Sequence, residues 1–330
     1  MNDVELTIWK PDDLEMIPLM EDAKIATYPS ENRSTEADFL HKYSRSPFGP
    51  AVVAIALSGN TVVGMVAFGM YKVLLGKRSV PAALSYQTIV RPEFQRRGLF
   101  SGLVRLATDE ATKREVKVFF NFPNSASKSG FIKLGWREAM RIRTWMKPNS
   151  FRAFAPLQAY TTLRARFRPD PPTPAVSLGE ELAGVSNASP QWHAKRIVPL
   201  RTTAFLRWRF AERPSHCYQA VTVGEAVVIV RAGSRGGLRE VQILDVVPHR
   251  IDCTMREVRN IVKGVSAKVN ADIISVAMSH THPMSKYMAC CGMIQRPNRI
   301  SFCTFSPDQA VSQLLAEAHW SISAADFHMS

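Results

Sequence analysis

The chain has 330 residues, room for about two domains, and its 46% hydrophobic against 21% charged residues exclude wholesale disorder. No stretch approaches the roughly 18 to 20 consecutive apolar residues of a membrane span, and the opening MNDVELTIWKPDD has acids where a signal peptide is basic, so the expectation is a cytoplasmic protein with no integral membrane segment. The net charge of +14 is uneven: residues 1–50 hold ten acids and five bases, −5, which leaves +19 on residues 51–330.

Residues 51–57 and 61–74 read as two strands joined by the turn Ser58-Gly59-Asn60, a hairpin. A third strand over 84–90 stops at Arg91-Pro92, because proline removes a ladder donor. A glycine-containing loop follows, then a helix over about 98–114 with Leu99, Leu103, Leu106, Ala107 and Ala111 on one side. The stretch KVFFNF at 117–122 is a short buried strand, and a small helix over 125–134 and a closing strand over 137–147 complete a first unit.

Between 141 and 168 there are seven basic residues and no acid, and PDPPTP at 169–174 is extended and unable to carry a helix. The expected domains are therefore 1–150, a basic and proline-rich linker at 151–185, and 186–330. The second half repeats the element order: a helical stretch at 190–213, strands at 218–223, 226–232 and 240–247, a helix at 254–270, a strand at 272–278, a short helix at 284–291, a strand at 299–305 and a capped helix at 306–320. Val246-Val247-Pro248 stands where Val90-Arg91-Pro92 stands in the first half.

Cys217, Cys253, Cys290, Cys291 and Cys303 contain no C-x-x-C pair, and His280 and His282 have no third spaced ligand, so no metal is expected. Arginine supplies twenty-eight of the forty-two basic residues, and its forked guanidinium suits phosphate and carboxylate. The bases are scattered over many elements rather than gathered with aromatics, which argues against nucleic acid as a partner.

The loop Gln95-Arg96-Arg97-Gly98-Leu99-Phe100 lies between a strand and a helix. The first N–H groups of a helix lack intrahelical partners, its dipole places partial positive charge there, and glycine lets a ligand approach, so such a loop can grip a diphosphate by main chain. The whole stretch VRPEFQRRGLFSGLVRLATDEA resembles the acyl-CoA signature of the GNAT superfamily of N-acyltransferases, a strand ending V-x-P, then Q/R-x-x-G-x-G/A, then a helix. Val90, Pro92, Gln95 and Gly98 match; Phe100 stands where the family has Gly or Ala. Downstream, Asn124, Ser127, Phe131, Gly135 and Trp136 follow the family's N-x2-A-x3-Y-x3-G-F/W segment.

The resemblance implies an α+β fold of two GNAT-like domains, mixed and mostly antiparallel sheets flanked by helices, with the second copy degenerate: Ile251 and Thr254 replace Gln95 and Gly98. It further implies that strand 84–90 splays from strand 117–122 to admit a pantetheine arm. Main chain of Ile89 and Val90 would meet the arm, and Gln95, Arg96, Arg97, Gly98, Leu99, Phe100, Ser101, Asn124 and Phe131 would form the rest of an acetyl-CoA site. The family's proton donor is a tyrosine whose position is Phe131 here, so Tyr86, Asn121 and Ser125, with Ser127 and Ser129, are the alternatives. Packing of Tyr86 on the sheet and helix capping by Asn124 or Ser125 are the ordinary readings of these residues, and capping is the preferred one for Asn124. Glu31 is the candidate base, beside Glu36, Asp38 and Glu93, each of which also suits a solvated surface. Arg207-Trp208-Arg209 either shapes an acceptor pocket or helps bury an interface.

The expected activity is acetyl transfer from acetyl-CoA to an amine of a small, anionic acceptor such as an amino sugar or glycan precursor. A noncatalytic acyl-CoA-binding protein and an aminoacyl or fatty-acyl transferase on the same fold remain the alternatives.

Overall fold

The structure, a computed structural model, describes residues 4–76, 78–154, 165, 167–170, 178, 182, 196–214, 218–248 and 252–327, with only the backbone of 154 and 297–299. Cys217 and most of the basic linker fall outside the described residues. In chain order the elements are β1 (Val4–Ile8), α1 (Met16–Thr27), α2 (Glu36–Tyr43), β2 (Val52–Ser58), β3 (Thr61–Leu75), β4 (Arg78–Val90), α3 (Leu99–Lys113), β5 (Val118–Asn121), α4 (Ser125–Lys133) and β6 (Arg137–Pro148). Then come β7 (Arg168–Pro169), β8 (Arg196–Pro199), α5 (Thr203–Leu206), β9 (Gln219–Val223), β10 (Ala226–Arg235), β11 (Leu238–Val247), α6 (Met255–Lys268), β12 (Ile273–Met278), β13 (Ile294–Phe305), α7 (Gln309–Glu317) and β14 (His319–Trp320).

Contacts divide the chain into two compact units. The first gathers residues 1–74, 78–139 and 301–318; the second gathers 75–77, 140–300 and 319–330. Each unit takes a strand from the far half of the sequence. β5 is four buried residues with β4 on one side, and its other edge is satisfied by Cys303, Thr304 and Phe305 of β13, antiparallel. In the second unit, residues 143–148 of β6 pair antiparallel with β12 in the same way.

The sheet of the first unit runs β1-β2-β3-β4-β5, and β2 shows why both faces are covered. Its odd positions, Val53 and Ile55, pack with Trp9, Ile17, Met20, Phe39 and Tyr43, whereas Val52, Ala54 and Ala56 pack with Leu103, Val104, Ala107 and Phe119. An apolar run with period-two facing and no exposed side is the pattern of a strand sandwiched between helix layers.

The second unit follows the same order, β9-β10-β11-β12, with β11 and β12 parallel. Thr254 and Glu257 cap α6, which buries Val258, Ile261, Val262 and Val265 against Val228, Val230, Val241 and Ile243. The opposite face of those strands presents Arg231, Arg235, Glu240, Gln242 and Ser275, all buried.

Two expectations for the second half need correction. Residues 196–199 of the stretch read as helix 190–213 form strand β8, because Ile197 and Val198 are β-branched and Pro199 ends them; helix begins only where the Thr202 hydroxyl accepts from the Phe205 N–H at 2.9 Å. Residues 284–291 form two 3-10 turns, Ser285–Tyr287 and Ala289–Cys291, closed by Gly292, rather than a helix. The candidate metal pair lies at the turn after β12, and among the described residues no group of three or more metal-ligating side chains forms. Among the described residues, no helix is long and apolar enough to cross a membrane.

Candidate functional site

Gly98 is the N-cap of α3 and sits at φ 80°, a conformation that disfavours any side chain, and a Cβ there would meet nothing within 4 Å. No side chain caps this helix, and its first turn holds no acid. The opening N–H groups of α3 therefore face open space with the positive end of the helix dipole behind them, an arrangement that fits a diphosphate. Three contacts hold the loop in that shape. The Gln95 amide donates to the Val90 carbonyl at 3.0 Å, Arg97 donates to the Glu93 carbonyl at 2.9 Å, and the Arg97 guanidinium lies 5.1 Å over the Phe94 ring. Arg96, at φ 62°, and Arg97 stay exposed at the mouth. Ser101, in the first turn of α3, is half-buried.

Phe100 departs from the glycine or alanine of the signature, and Gly130 on α4 makes room for it. A Cβ at Gly130 would come 2.5 Å from the Phe100 ring, and Phe100 meets Phe131 edge-on at 5.2 Å. Phe131 continues to Trp136 at 4.9 Å and is fully buried in the core. The large side chain is absorbed between α3 and α4.

β4 and β5 pair in parallel only from Ala82 with Val118 to Ser85 with Asn121. Beyond that point β5 has ended, and residues 86–90 of β4 continue without it. Tyr86 and Ile89 belong to the same apolar cluster although they are three residues apart, whereas Ala83 and Val90 belong to the other. Strict alternation would forbid that, so the facing slips by one residue within 86–89, as in a β-bulge.

Asn121 closes the paired stretch. It is 1% exposed, and neither its amide nitrogen nor its oxygen has a hydrogen-bond partner. An unsatisfied buried polar group costs about 1 to 3 kcal/mol, so a side chain like this fits a place where a ligand completes the bonds.

Tyr28, at the end of α1, carries a second polar group to the splay. Its hydroxyl donates to the Thr88 carbonyl at 3.3 Å and lies within hydrogen-bonding reach of the Asn124 side chain. Asn124 caps α4 with its Oδ1, which accepts from the N–H of Ser127 at 2.9 Å and its hydroxyl at 3.0 Å, leaving the amide nitrogen for the phenol oxygen. Burial first, then the nearby Glu31 carboxylate, raise the phenol above its ordinary pKa, while Asn124 pulls the other way. The hydroxyl is thus kept as a proton carrier between α1, β4 and α4.

Asn121 ends the pairing of β4 with β5, Asn124 and Glu31 both act on the Tyr28 phenol, and the Gln95 amide ties the loop to Val90. Ser125 is exposed in the first turn of α4. Tyr86 is directed elsewhere: its ring covers Gly69, leaving no room for a side chain there, and its hydroxyl donates to the Lys42 carbonyl at 3.0 Å. Tyr28 was not a candidate from sequence, since its partners lie 60 and 96 positions away and no local pattern marks it. Arg209 of the aromatic run is buried on Tyr218, at 3.1 Å, and on the Ala325 carbonyl, while Arg207 is exposed beside Glu212.

In the second unit the equivalent helix start is closed. The Thr254 hydroxyl accepts from the Glu257 N–H at 3.2 Å, and the Glu257 carboxylate accepts from the Thr254 N–H at 2.7 Å. This capping box occupies the N–H of Glu257, whose counterpart at α3 no side chain caps, and sets a carboxylate at the helix start.

Residues 25–139 match the family model described as an acetyltransferase (GNAT) domain. No curated protein matches the sequence. Among solved structures, a GCN5-related N-acetyltransferase from Anabaena variabilis aligns over 92% of this chain and 72% of its own, at 12% identity and a TM-score of 0.58. A protein of unknown function from Enterococcus faecalis, described as a probable N-acyltransferase, gives the same coverage and identity with a TM-score of 0.59. A tandem GNAT protein from the clavulanic acid biosynthesis pathway is covered over 98% of its length, at 12% identity and a TM-score of 0.50.

Proposed function

Because residues 25–139 carry an acetyltransferase (GNAT) domain within a tandem GNAT fold, we propose that this acyltransferase moves an acetyl group from acetyl-CoA to the amine of a small, anionic acceptor in the cytoplasm. The observation that carries this reading is the uncapped start of α3 at Gly98. Acetyl-CoA supplies the activated carbonyl; the chain supplies grip, alignment and proton handling.

The N–H groups opening α3 hold the diphosphate, with Arg96 and Arg97 adding charge at the rim. The free edge of β4 over 86–90 aligns the thioester arm, and the Asn121 amide meets the polar groups that enter the splay. Alignment of the amine with the carbonyl contributes most of the rate. As the carbon–sulfur bond breaks, its electron pair stays on sulfur and the Tyr28 hydroxyl gives up its proton there. The attacking nitrogen loses one proton through Glu31 or water, and that proton restores the phenol, so amide and free thiol are the products.

The acceptor's negative charge is inferred from the +19 carried by residues 51–330, and nucleic acid is not the partner in this reading. Phe131, which has no hydroxyl, favours a second reading, an acyl-CoA-binding protein without catalysis. Two measurements separate them. Thermal stabilisation by CoA tests the grip, and thiol release from acetyl-CoA with a panel of amino acids, amino sugars and polyamines tests transfer. Stabilisation without release supports the binder; absence of both removes the acyl-CoA reading altogether.

A further inference from the structure

In the first unit β4 runs on past Ser85 without β5 beside it, and Asn121 is left without partners. The second unit fills the corresponding gap with its own chain. β11 and β12 pair only from Glu240 with Ile273 to Ile243 with Val276. Two residues further on, Met278 is paired with Arg143 of β6 on one edge, and on the edge that β11 has left it meets Ser323, antiparallel. The Ser279 N–H donates to the Ile322 carbonyl at 3.0 Å, and the Ile322 N–H donates to the Ser279 hydroxyl at 3.1 Å. Residues 324–326 then make a 3-10 turn that touches both β11 and β12.

Arg201 closes the arrangement. In continued register Asp245 of β11 would face Met278; instead its carboxylate accepts from Arg201 Nε at 2.8 Å, while Arg201 Nη2 donates to Asp326 of the inserted segment at 2.5 Å. The other bonds of the segment also go to distant elements. Ser321 N–H donates to the Ile197 carbonyl at 2.8 Å, the Thr281 hydroxyl donates to the Trp320 carbonyl at 2.5 Å, and Arg209 Nε donates to the Ala325 carbonyl at 3.3 Å. Trp320 to Asp326 are all buried. Main-chain bonds to an open strand edge, buried side chains and a guanidinium on a carboxylate are the means by which a sheet holds an added peptide.

We propose that residues 319–327 are a built-in peptide ligand of the second unit, a strap seated in a groove between β11 and β12 that takes extended segments carrying a carboxylate for Arg201 three residues beyond the paired serine. The proposal is independent of the transferase reading, which rests on the first unit, and none of its readouts involves acetyl-CoA.

Native-state hydrogen exchange on the full parent chain tests whether the strap is separable without any substitution. The amides of Ser321, Ile322 and Ser323 should open together at lower urea than those of β11 and β12; opening of all of them at one urea concentration makes the segment an ordinary part of the unit and overturns the proposal. Asp326→Asn in the full chain should speed exchange at 321–323 about 10- to 100-fold, the worth of one charge-assisted hydrogen bond, while β2 and β3 stay as protected as in the parent. The probe for the vacated groove is a labelled synthetic peptide of residues 319–330, HWSISAADFHMS. Because the tethered strap competes at high effective concentration, the peptide should bind the Asp326→Asn chain saturably and the parent chain at least about 10-fold more weakly. The same peptide made with Asp326→Asn should bind the variant chain about 10-fold or more weakly than the parent peptide does. Absence of saturable binding to the variant chain, or equal binding of the two peptides, overturns the proposal.

Discussion

The start of α3 and the start of α6 occupy the same place in two copies of one element order, each following a strand and a proline, yet they are opposites chemically. At α3 the chain puts a glycine at positive φ and leaves the first N–H groups uncapped; at α6 it puts Thr254 and Glu257 there, and the two cap each other. A helix start binds an outside anion only where the chain declines to bind its own N–H groups. Fold repetition therefore says little about which helix start can take a ligand, and three or four loop residues say most. The sheets differ in a complementary way: the first unit packs apolar clusters against both faces, while the second keeps buried arginines on one.

The change that should break this contrast most completely is Gly98→Glu. It forces a side chain into φ 80° and sets a carboxylate at the helix start proposed to take the diphosphate, so CoA affinity by calorimetry should fall about 100-fold or more. Tyr28→Phe comes next. Removal of the donor should lower kcat about 100-fold while KM for acetyl-CoA stays within about 3-fold. The defect should shrink with a donor whose leaving thiol is more acidic; an equal defect with every donor would make Tyr28 merely structural.

The charged face of the second unit makes a prediction in pH. Burial raises the Tyr218 phenol, but Arg209, Arg213 and Arg231 outweigh it and bring the group down to about 8 from 10.0. A depressed folded value means the phenolate's contribution is fully present above the unfolded pKa and is lost as pH falls through about 8. Chemical denaturation of the parent and Tyr218→Phe should show a stability difference between pH 8 and pH 10 on the order of 2 kcal/mol, with tyrosinate absorbance titrating near pH 8 only in the parent.

Much of the first unit was legible because its signals are local. Gly59 ends a hairpin, Pro92 ends a strand, and Gln95 to Phe100 lie within one loop that leads into the uncapped start of α3. Phe131 was legible as an absence, and Asn121 as a polar residue in an apolar strand, although its lack of partners needed the pairing register. Tyr28 was not legible, since nothing near it in sequence distinguishes it from any tyrosine ending a helix. Nor does a linear reading show that residues 301–318 fold with the first unit, because strand partners are chosen by open edges rather than by proximity in the chain. Arg231 and Arg235 sit at even spacing around Gly233, a same-face pattern, but their meeting with Glu240 depends on the register of β10 against β11.

Phe100 sharpens the comparison further. It stands where a small residue is expected in an acyl-CoA loop, and the loop keeps its shape because α4 has Gly130 beneath the ring. Gly130→Ala would set a Cβ 2.5 Å from Phe100 and should cost about 1 to 3 kcal/mol by urea denaturation. Phe100→Ala in that background should recover part of the loss, which an unrelated effect on α4 would not do.

The smallest effect is expected where the second unit closes its own helix. Thr254→Ala removes the hydroxyl that accepts from Glu257 and should destabilise the protein by about 1 kcal/mol in chemical denaturation. CoA binding should not change, either in loss or in gain. Opening one N–H group at α6 does not recreate the glycine-shaped loop that leads into α3, and Glu257 leaves a negative charge in the first turn. If Thr254→Ala instead acquired CoA binding of its own, capping alone would have separated the two helix starts, and the conformation at Gly98 would lose the role assigned to it here.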